Sequence, residues 1–377
     1  MADFRELPDL ALRSLGGAVV HANDDAFAAK ENLITPGRPA FDPTTFGSQG
    51  KVYDGWETRR RRAPGYDEAI VRLGASGVVH GVVVDTAWFT GNYPPEVAVD
   101  GIRADTGADV ADLADWEPLV PRSAVKGDSE NAFAVESPQR ITHVRLRIFP
   151  DGGVARLRVH GEVVPDPALL PAVFDVAAAE FGGRITGCSN MFYSSPANLL
   201  LPGQARVMGD GWETSRRRDQ ANDWVAVRLA CAGSVEVAEL DTSHFVGNAP
   251  GWATLRGSDG ADLVPRTALQ PDTRHRFAVP GSPVAEEVRL DIYPDGGMAR
   301  LRVFGRPTAA ARAALAARFL RLLPEAQLAG LLGAAGLSAA EAGRLARELR
   351  DDRAGERAGD LTGNLPPTLR EQLRLSS

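Results

Sequence analysis

Apolar and charged residues alternate with period two at corresponding places in the two halves of the chain. Val144, Leu146 and Ile148 alternate with Arg145 and Arg147 before Pro150-Asp151-Gly152-Gly153, and Ala155, Leu157 and Val159 alternate with Arg156 and Arg158 after it. Side chains at every second position share one face of an extended chain, so each run reads as a half-buried strand. Asp-Gly supplies the positive φ of a tight turn, which predicts a hairpin. The second half repeats the pattern with Val288, Leu290 and Ile292, then Pro294-Asp295-Gly296-Gly297, then Ala299, Leu301 and Val303. Val82 to Val84 and Val235 to Leu240 also read as strands, with Asp, Gly and Pro punctuation between elements. From Pro307 the pattern becomes helical. Leu315, Phe319 and Leu322 or Leu323 fall on one face of an Ala-rich segment, and Ser338 with Glu341 three residues on is a capping box opening a second helix. The tail from about 351, with Asp351-Asp352-Arg353 and repeated Gly, reads as less ordered.

The two halves are copies. Asp54-Gly55-Trp56-Glu57-Thr58 and the arginines Arg60, Arg61 and Arg62 return, displaced by 156 residues, as Asp210-Gly211-Trp212-Glu213-Thr214 and Arg216, Arg217 and Arg218. Asp85-Thr86, Phe89 and Gly91-Asn92 return in the same register as Asp241-Thr242, Phe245 and Gly247-Asn248. Chance does not keep such spacing, so the unit is duplicated. Earlier landmarks (Gly16-Gly17, Asn32-Leu33) match in a register of 166 and later ones (Leu119 to Arg122, Phe133 to Val135) in one of 144. The first copy therefore carries two insertions, between Pro36 and Gly50 and around Ala104 to Asp115. The expected layout is a segment over 1–13, a first repeat over 14–162, a linker over 163–179, a second repeat over 180–306 and a helical extension over 307–377. Each repeat is expected to be an antiparallel β-sandwich of jelly-roll type, giving a mainly β chain with an α-helical end.

Composition narrows the partners. The 377 residues, 44% of them apolar, suffice for two real cores. The 42 basic and 49 acidic residues give a net charge of −7, which argues against nucleic acid or an anionic membrane surface as partner. Cys188 and Cys231 are too few for a disulfide framework or a four-cysteine zinc site. The N-terminus lacks the pattern of a secretory signal, and no apolar run reaches the roughly 18 residues of a spanning helix. A cytoplasmic protein is expected.

The repeated residues are the candidates for chemistry. Glu57 and Glu213, each beside a Trp, suit a general acid if burial disfavours their charge, but a Glu in such a turn is more often an ion-pair partner of the arginine run after it. One arginine per run, among Arg59 to Arg62 and Arg216 to Arg218, suits a carboxylate or ureido carbonyl, while the others read as a solvated face. Asp85 and Asp241 stand at strand ends, where sandwiches carry ligands, yet Asp-Thr also caps turns; Asn92 and Asn248 belong to the same loops. His244 stands where the first copy has Trp88, so the copies are not equivalent. The six histidines show no metal-ligand spacing, and there is no phosphate loop or nucleophile elbow. No cofactor is expected; a divalent metal held by ligands from distant strands stays an open alternative.

In order and in duplicate, Leu7-Pro8-Asp9-Leu10, Gly16-Gly17, Phe27 to Leu33, Asp54 to Arg60 and Asp85-Thr86…Phe89…Gly91-Asn92 resemble the allantoicase family over about residues 7 to 306. The resemblance implies tandem jelly-roll repeats related to galactose-binding-like sandwiches, and hydrolysis of allantoate to ureidoglycolate and urea in purine breakdown. Allantoate carries one carboxylate and two ureido groups, so its site needs an arginine, hydrogen-bond partners and acid–base help. Taken together, family and residues suggest Glu57 or Glu213 with Asp85 or Asp241 as acid and base. Arg60 or Arg216 would bind carboxylate, Asn92 or Asn248 would bind substrate, and His244 would assist. Urea would leave either by attack of water or through an imine. The competing readings are a non-catalytic binding module for a sugar or carboxylate, since fold alone does not decide function, and a hydrolase of another ureide. Matching surfaces on two repeats suggest a homo-oligomer.

Overall fold

The computed structural model describes residues 3–48, 50–104, 108–110, 113–351, 363 and 365–375. The chain forms two compact units, Met1–Val163 and Val164–Ser377. The main strands of the first are β1 (Ala18–Ala22), β2 (Asp67–Asp85), β3 (Glu96–Ile102), β4 (Glu117–Ala124), β5 (Glu130–Ala134), β6 (Arg140–Phe149) and β7 (Arg156–Val163). Their counterparts in the second are β8 (Arg184–Cys188), β9 (Asp223–Asp241), β10 (Trp252–Gly257), β11 (Asp262–Ala268), β12 (Arg274–Ala278), β13 (Val284–Tyr293) and β14 (Arg300–Pro307).

Each unit is organised around one 19-residue strand, β2 or β9. The first half of β2 lies antiparallel between β1 and β6, and β6 continues to β3 and β4. Its second half lies between β5 and β7. The register shift between Arg72 and Gly77 marks where the strand passes from one layer of the sandwich to the other. Alternation buries Ala69, Val71, Leu73 and Ala75 in the first half. Val82, Val83 and Val84 are buried in succession, as expected where both faces of a strand are covered. β9 has the same neighbours in its own unit, with β8, β13, β10 and β11 on one layer and β12 and β14 on the other.

The strands expected on either side of Pro150 to Gly153 are present, but they do not form a hairpin. β6 pairs with the first half of β2 and β7 with the second, so the turn carries the chain between layers. Gly152 (φ +140) and Gly296 (φ +137) do supply the positive φ. The alternation is common to both arrangements, so it identifies strands without identifying their partners.

The stretch 163–179 contains Phe174-Asp175, which pairs with Gly305 and Phe304 of β14. Asp9 makes the corresponding bridge to His160 of β7, and Leu10 is fully buried. After the second repeat come α1 (Ala309–Arg321), α2 (Glu325–Ala334), α3 (Ala339–Asp351) and α4 (Pro367–Gln372). The Thr308 hydroxyl accepts from Ala311 N at 3.1 Å to start α1, which buries Ala316, Phe319 and Leu320 against β9 and β14. The capping box is formed: Glu341 Oε2 accepts from Ser338 N at 3.0 Å, and Ser338 Oγ accepts from Glu341 N at 3.4 Å. Most of the tail from 351, and part of the insertion around 104–115, lie outside the described residues. Among the described residues no helix is long and apolar enough to cross a membrane.

Candidate functional site

The Asp-Gly-Trp-Glu-Thr turn is locked by its own residues. Trp56 and Trp212 are fully buried, with indole N–H groups donating to Asp24 O at 2.7 Å and Asn190 O at 2.8 Å. Each following glutamate is brought to the asparagine of the Gly-Asn loop: Asn92 Nδ2 donates to Glu57 Oε1, and Asn248 Nδ2 to Glu213 Oε1, both at 2.7 Å. Burial pushes the Glu57 carboxyl above its ordinary range, and the Asn92 bond pulls partly the other way. Phe89 and Phe245 pack so closely on Gly153 and Gly297 that a Cβ at either glycine would overlap the ring.

The arginine runs separate by position. Arg61 Nη1 donates to buried Asp67 at 2.6 Å and Arg217 Nη1 to buried Asp223 at 2.7 Å. Their backbone N–H groups bind Asp151 and Asp295 of the layer-crossing turns. Arg60 and Arg216 are exposed, with no hydrogen-bond or ion-pair partner among the described residues. The middle arginine is therefore structural, while Arg60 and Arg62 in the first copy, and Arg216 and Arg218 in the second, are free cations among the described residues.

Asp85 and Asp241 cap their loops, accepting from Ala87 N and Ser243 N at 2.8 Å. Burial pushes the Asp85 carboxyl upward, opposed by the Ala87 bond. Trp88 and His244 share a left-handed φ of 70° and the same task. Trp88 Nε1 donates to Pro39 O at 3.0 Å, and His244 Nε2 lies 2.9 Å from Ala205 O, which requires the proton on Nε2. His244 thus anchors a loop as Trp88 does.

The two aspartates differ in what faces them. Asp241 lines a cavity of about 250 Å³ with Asp175, Glu180, Glu239, Arg274, Arg300 and Arg302. Burial raises Asp175 to about 6, against bonds from Val303 N and Ala177 N and the charge of Arg302, and it raises Glu180 as well. Glu239 is buried and held below its usual range by Arg276 and Arg274, whose bonds outweigh its desolvation. Glu213, Asn248, Arg216 and His244 do not line this cavity. The structure therefore pairs Glu213 with Asn248, and Asp241 with Arg300 and Arg302, as two separate clusters.

Period two puts Arg156, Arg158, Arg300 and Arg302 on the polar face of a strand, which reads as solvated. They are in fact part of the interior: Arg156 is 1% exposed, Arg300 4% and Arg302 9%. Arg302 Nη2 donates to Leu201 O at 2.5 Å and Gly203 O at 2.7 Å, and Arg158 Nη2 donates to Thr35 O and Gly37 O. The available signal is the exact return of Arg-Leu-Arg in both copies, each with an aspartate, Asp9 or Asp175, near the start of its repeat. Among the described residues no three His, Cys, Asp or Glu side chains form a metal-binding cluster.

The "Allantoicase repeat" family model matches residues 8–164 and again 174–308. A probable allantoicase of Nocardia farcinica is 60% identical over 314 residues, covering 80% of this chain and 95% of the relative. A probable allantoicase of Streptomyces coelicolor is 48% identical over 340 residues, covering 85% and 90%. Among solved structures, allantoicase from Saccharomyces cerevisiae superposes with a TM-score of 0.72 at 34% identity, covering 81% of this chain and 96% of that one.

Proposed function

The chain belongs to the allantoicase family, and from that premise we infer that it hydrolyses allantoate to ureidoglycolate and urea, a step of purine degradation. The observation that carries this reading is the match of both repeats to the family, at 60% identity to a relative covered over 95% of its length. In the reaction the bond from the central carbon to one ureido nitrogen breaks, water supplies the new hydroxyl, and the departing nitrogen takes a proton to leave as urea. The chemistry needs a group that gives a proton and one that accepts it.

We propose that these roles fall to Glu57 or Glu213, fixed by Asn92 or Asn248, and to Asp85 or Asp241. Glu57 suits the acid because burial lets it keep its proton to higher pH. Arg60 and Arg216, free and exposed, suit the approach of an anionic substrate. His244, with Nε2 committed to Ala205 O, supports the loop that carries Asp241 and Asn248. We further propose a cytoplasmic homo-oligomer working without a cofactor; light scattering tests the assembly and chelator treatment the metal independence. The function is tested by incubating the purified protein with allantoate, ureidoglycolate and allantoin and assaying urea. Release from allantoate alone supports the reading, release from another ureide changes the substrate, and none from any of the three favours a binding module. Glu213→Gln should lower turnover at least tenfold, and near-normal turnover removes Glu213 from the mechanism.

A further inference from the structure

Arg156 and Arg300 occupy the same place in the two repeats but are satisfied differently. Arg156 Nη1 donates to Asp54 O at 2.8 Å and Ala155 O at 2.7 Å, and its Nη2 is closed by Asp54 Oδ2 at 2.7 Å. Arg300 Nη1 donates to the matching carbonyls, Asp210 O at 2.6 Å and Ala299 O at 2.7 Å. Its Nη2, however, has no hydrogen-bond partner among the described residues, and the side chain lines the cavity that holds Asp241.

One residue differs beside the repeated aspartate. Asp54 Oδ2 accepts from Ala40 N at 2.9 Å, and Asp210 Oδ2 accepts from the corresponding Arg206 N, also at 2.9 Å. Arg206 adds its own Nε at 3.1 Å and so holds the Asp210 carboxylate; Ala40 has no side chain with which to do this. Asp54 Oδ2 thus also accepts from Arg156, while Asp210 Oδ2 is taken by Arg206; Arg300 Nε donates instead to Gly203 O at 3.2 Å, and the Arg156 Nε has no such partner. Burial and the neighbouring charge of Arg302 pull Arg300 down to about 10, partly opposed by the charges of Asp210 and Asp241. An unpartnered guanidinium edge on a side chain that lines a cavity is a ready partner for a carboxylate.

We propose that the substrate carboxylate docks on Arg300 Nη2 in the second repeat only, and that Arg206 is the positioning residue that keeps this edge open. The first repeat is a closed copy of the same site, so of the acid and base alternatives this selects the second-repeat members, Glu213 and Asp241, of which Asp241 lines the cavity and Glu213 lies outside its lining. This rests on the allantoate reading and gives Arg300 the role read from sequence for Arg216.

The test compares steady-state constants for urea release from allantoate. Arg206→Ala installs the residue of the first repeat on a side chain that is 81% exposed, so the fold is preserved. KM should rise at least fivefold with kcat within twofold, as Asp210 turns onto Arg300. Adding Asp210→Asn to that variant removes the closing charge and should return KM to within twofold of wild type. Arg300→Gln should raise KM at least tenfold, whereas Arg38→Ala, at the first-repeat position matching Gln204, should leave both constants unchanged. An unaltered KM in Arg206→Ala, or no rescue by Asp210→Asn, overturns the proposal while wild-type urea release stands. Absence of wild-type urea release overturns the allantoate reading instead.

Discussion

The arginine run offers a sharp test, because two adjacent residues of the same type are assigned opposite roles. Arg217 donates to Asp223 at 2.7 Å, and Asp223 is fully buried, with Ser189 Oγ as its other side-chain partner. Replacing Arg217 by Gln leaves that carboxylate in the interior without its countercharge. Breaking a buried pair costs about 3–5 kcal/mol; because Arg217 is itself partly in solvent, about 2–4 kcal/mol is the fitting range. For a unit of this size that lowers the melting temperature by roughly 4–16 °C. Arg216 is exposed and unpaired among the described residues, so Arg216→Gln should stay within about 0.5 kcal/mol of wild type. Differential scanning calorimetry of the two variants beside wild type decides the matter. Equal melting temperatures for Arg216→Gln and Arg217→Gln would refute the division of the run into a structural and a free arginine, and so would destabilisation confined to Arg216→Gln.

Glu57→Gln keeps an acceptor for Asn92 and removes a charge. Because burial raises the folded carboxyl's pKa, the folded state binds its proton more tightly; this stabilisation is present below the ordinary glutamate value and is lost as pH rises through the folded one. Wild type should therefore lose stability over that window relative to Glu57→Gln, and parallel urea-denaturation curves across pH would contradict it. Gly297→Ala should destabilise the second unit by about 1–3 kcal/mol, since the new methyl meets the buried Phe245 ring; an unchanged denaturation midpoint would show that the ring yields freely. Thr308→Ala removes the cap of α1 and should cost about 1 kcal/mol, measured the same way. Burial pushes the Cys231 thiol up to about 11, so at pH 8 it should label with thiol reagents far more slowly than in the denatured chain.

Strands and repeats were legible in the sequence because side-chain alternation and duplication are written there directly. The capping box at Ser338 was legible for the same reason, being local. Pairing was not: β6 and β7 carry the alternation of a hairpin, yet both lean on β2, a choice made by residues some seventy positions away. The buried arginines were hidden by the same alternation, since a polar strand position looks alike whether water or a loop carbonyl receives it. Glu57 with Asn92 was half visible, as two motifs at a fixed distance; their contact needed the fold. The difference between Ala40 and Arg206 is plain in the letters and acquires meaning only through the carboxylate each one faces.

In each unit a segment near the start is fastened to the last strand of the repeat, Asp9 to His160 and Phe174-Asp175 to Gly305 and Phe304. Start and finish of a repeat therefore lie side by side on one sheet edge. A second copy can be spliced onto the first through a short connector without disturbing any pairing inside either, which makes tandem duplication a mechanically easy event for this architecture. By the same geometry, a single repeat with its ends joined and its chain reopened in the turn between β10 and β11 keeps every neighbour it had, so chain order is separable from shape here.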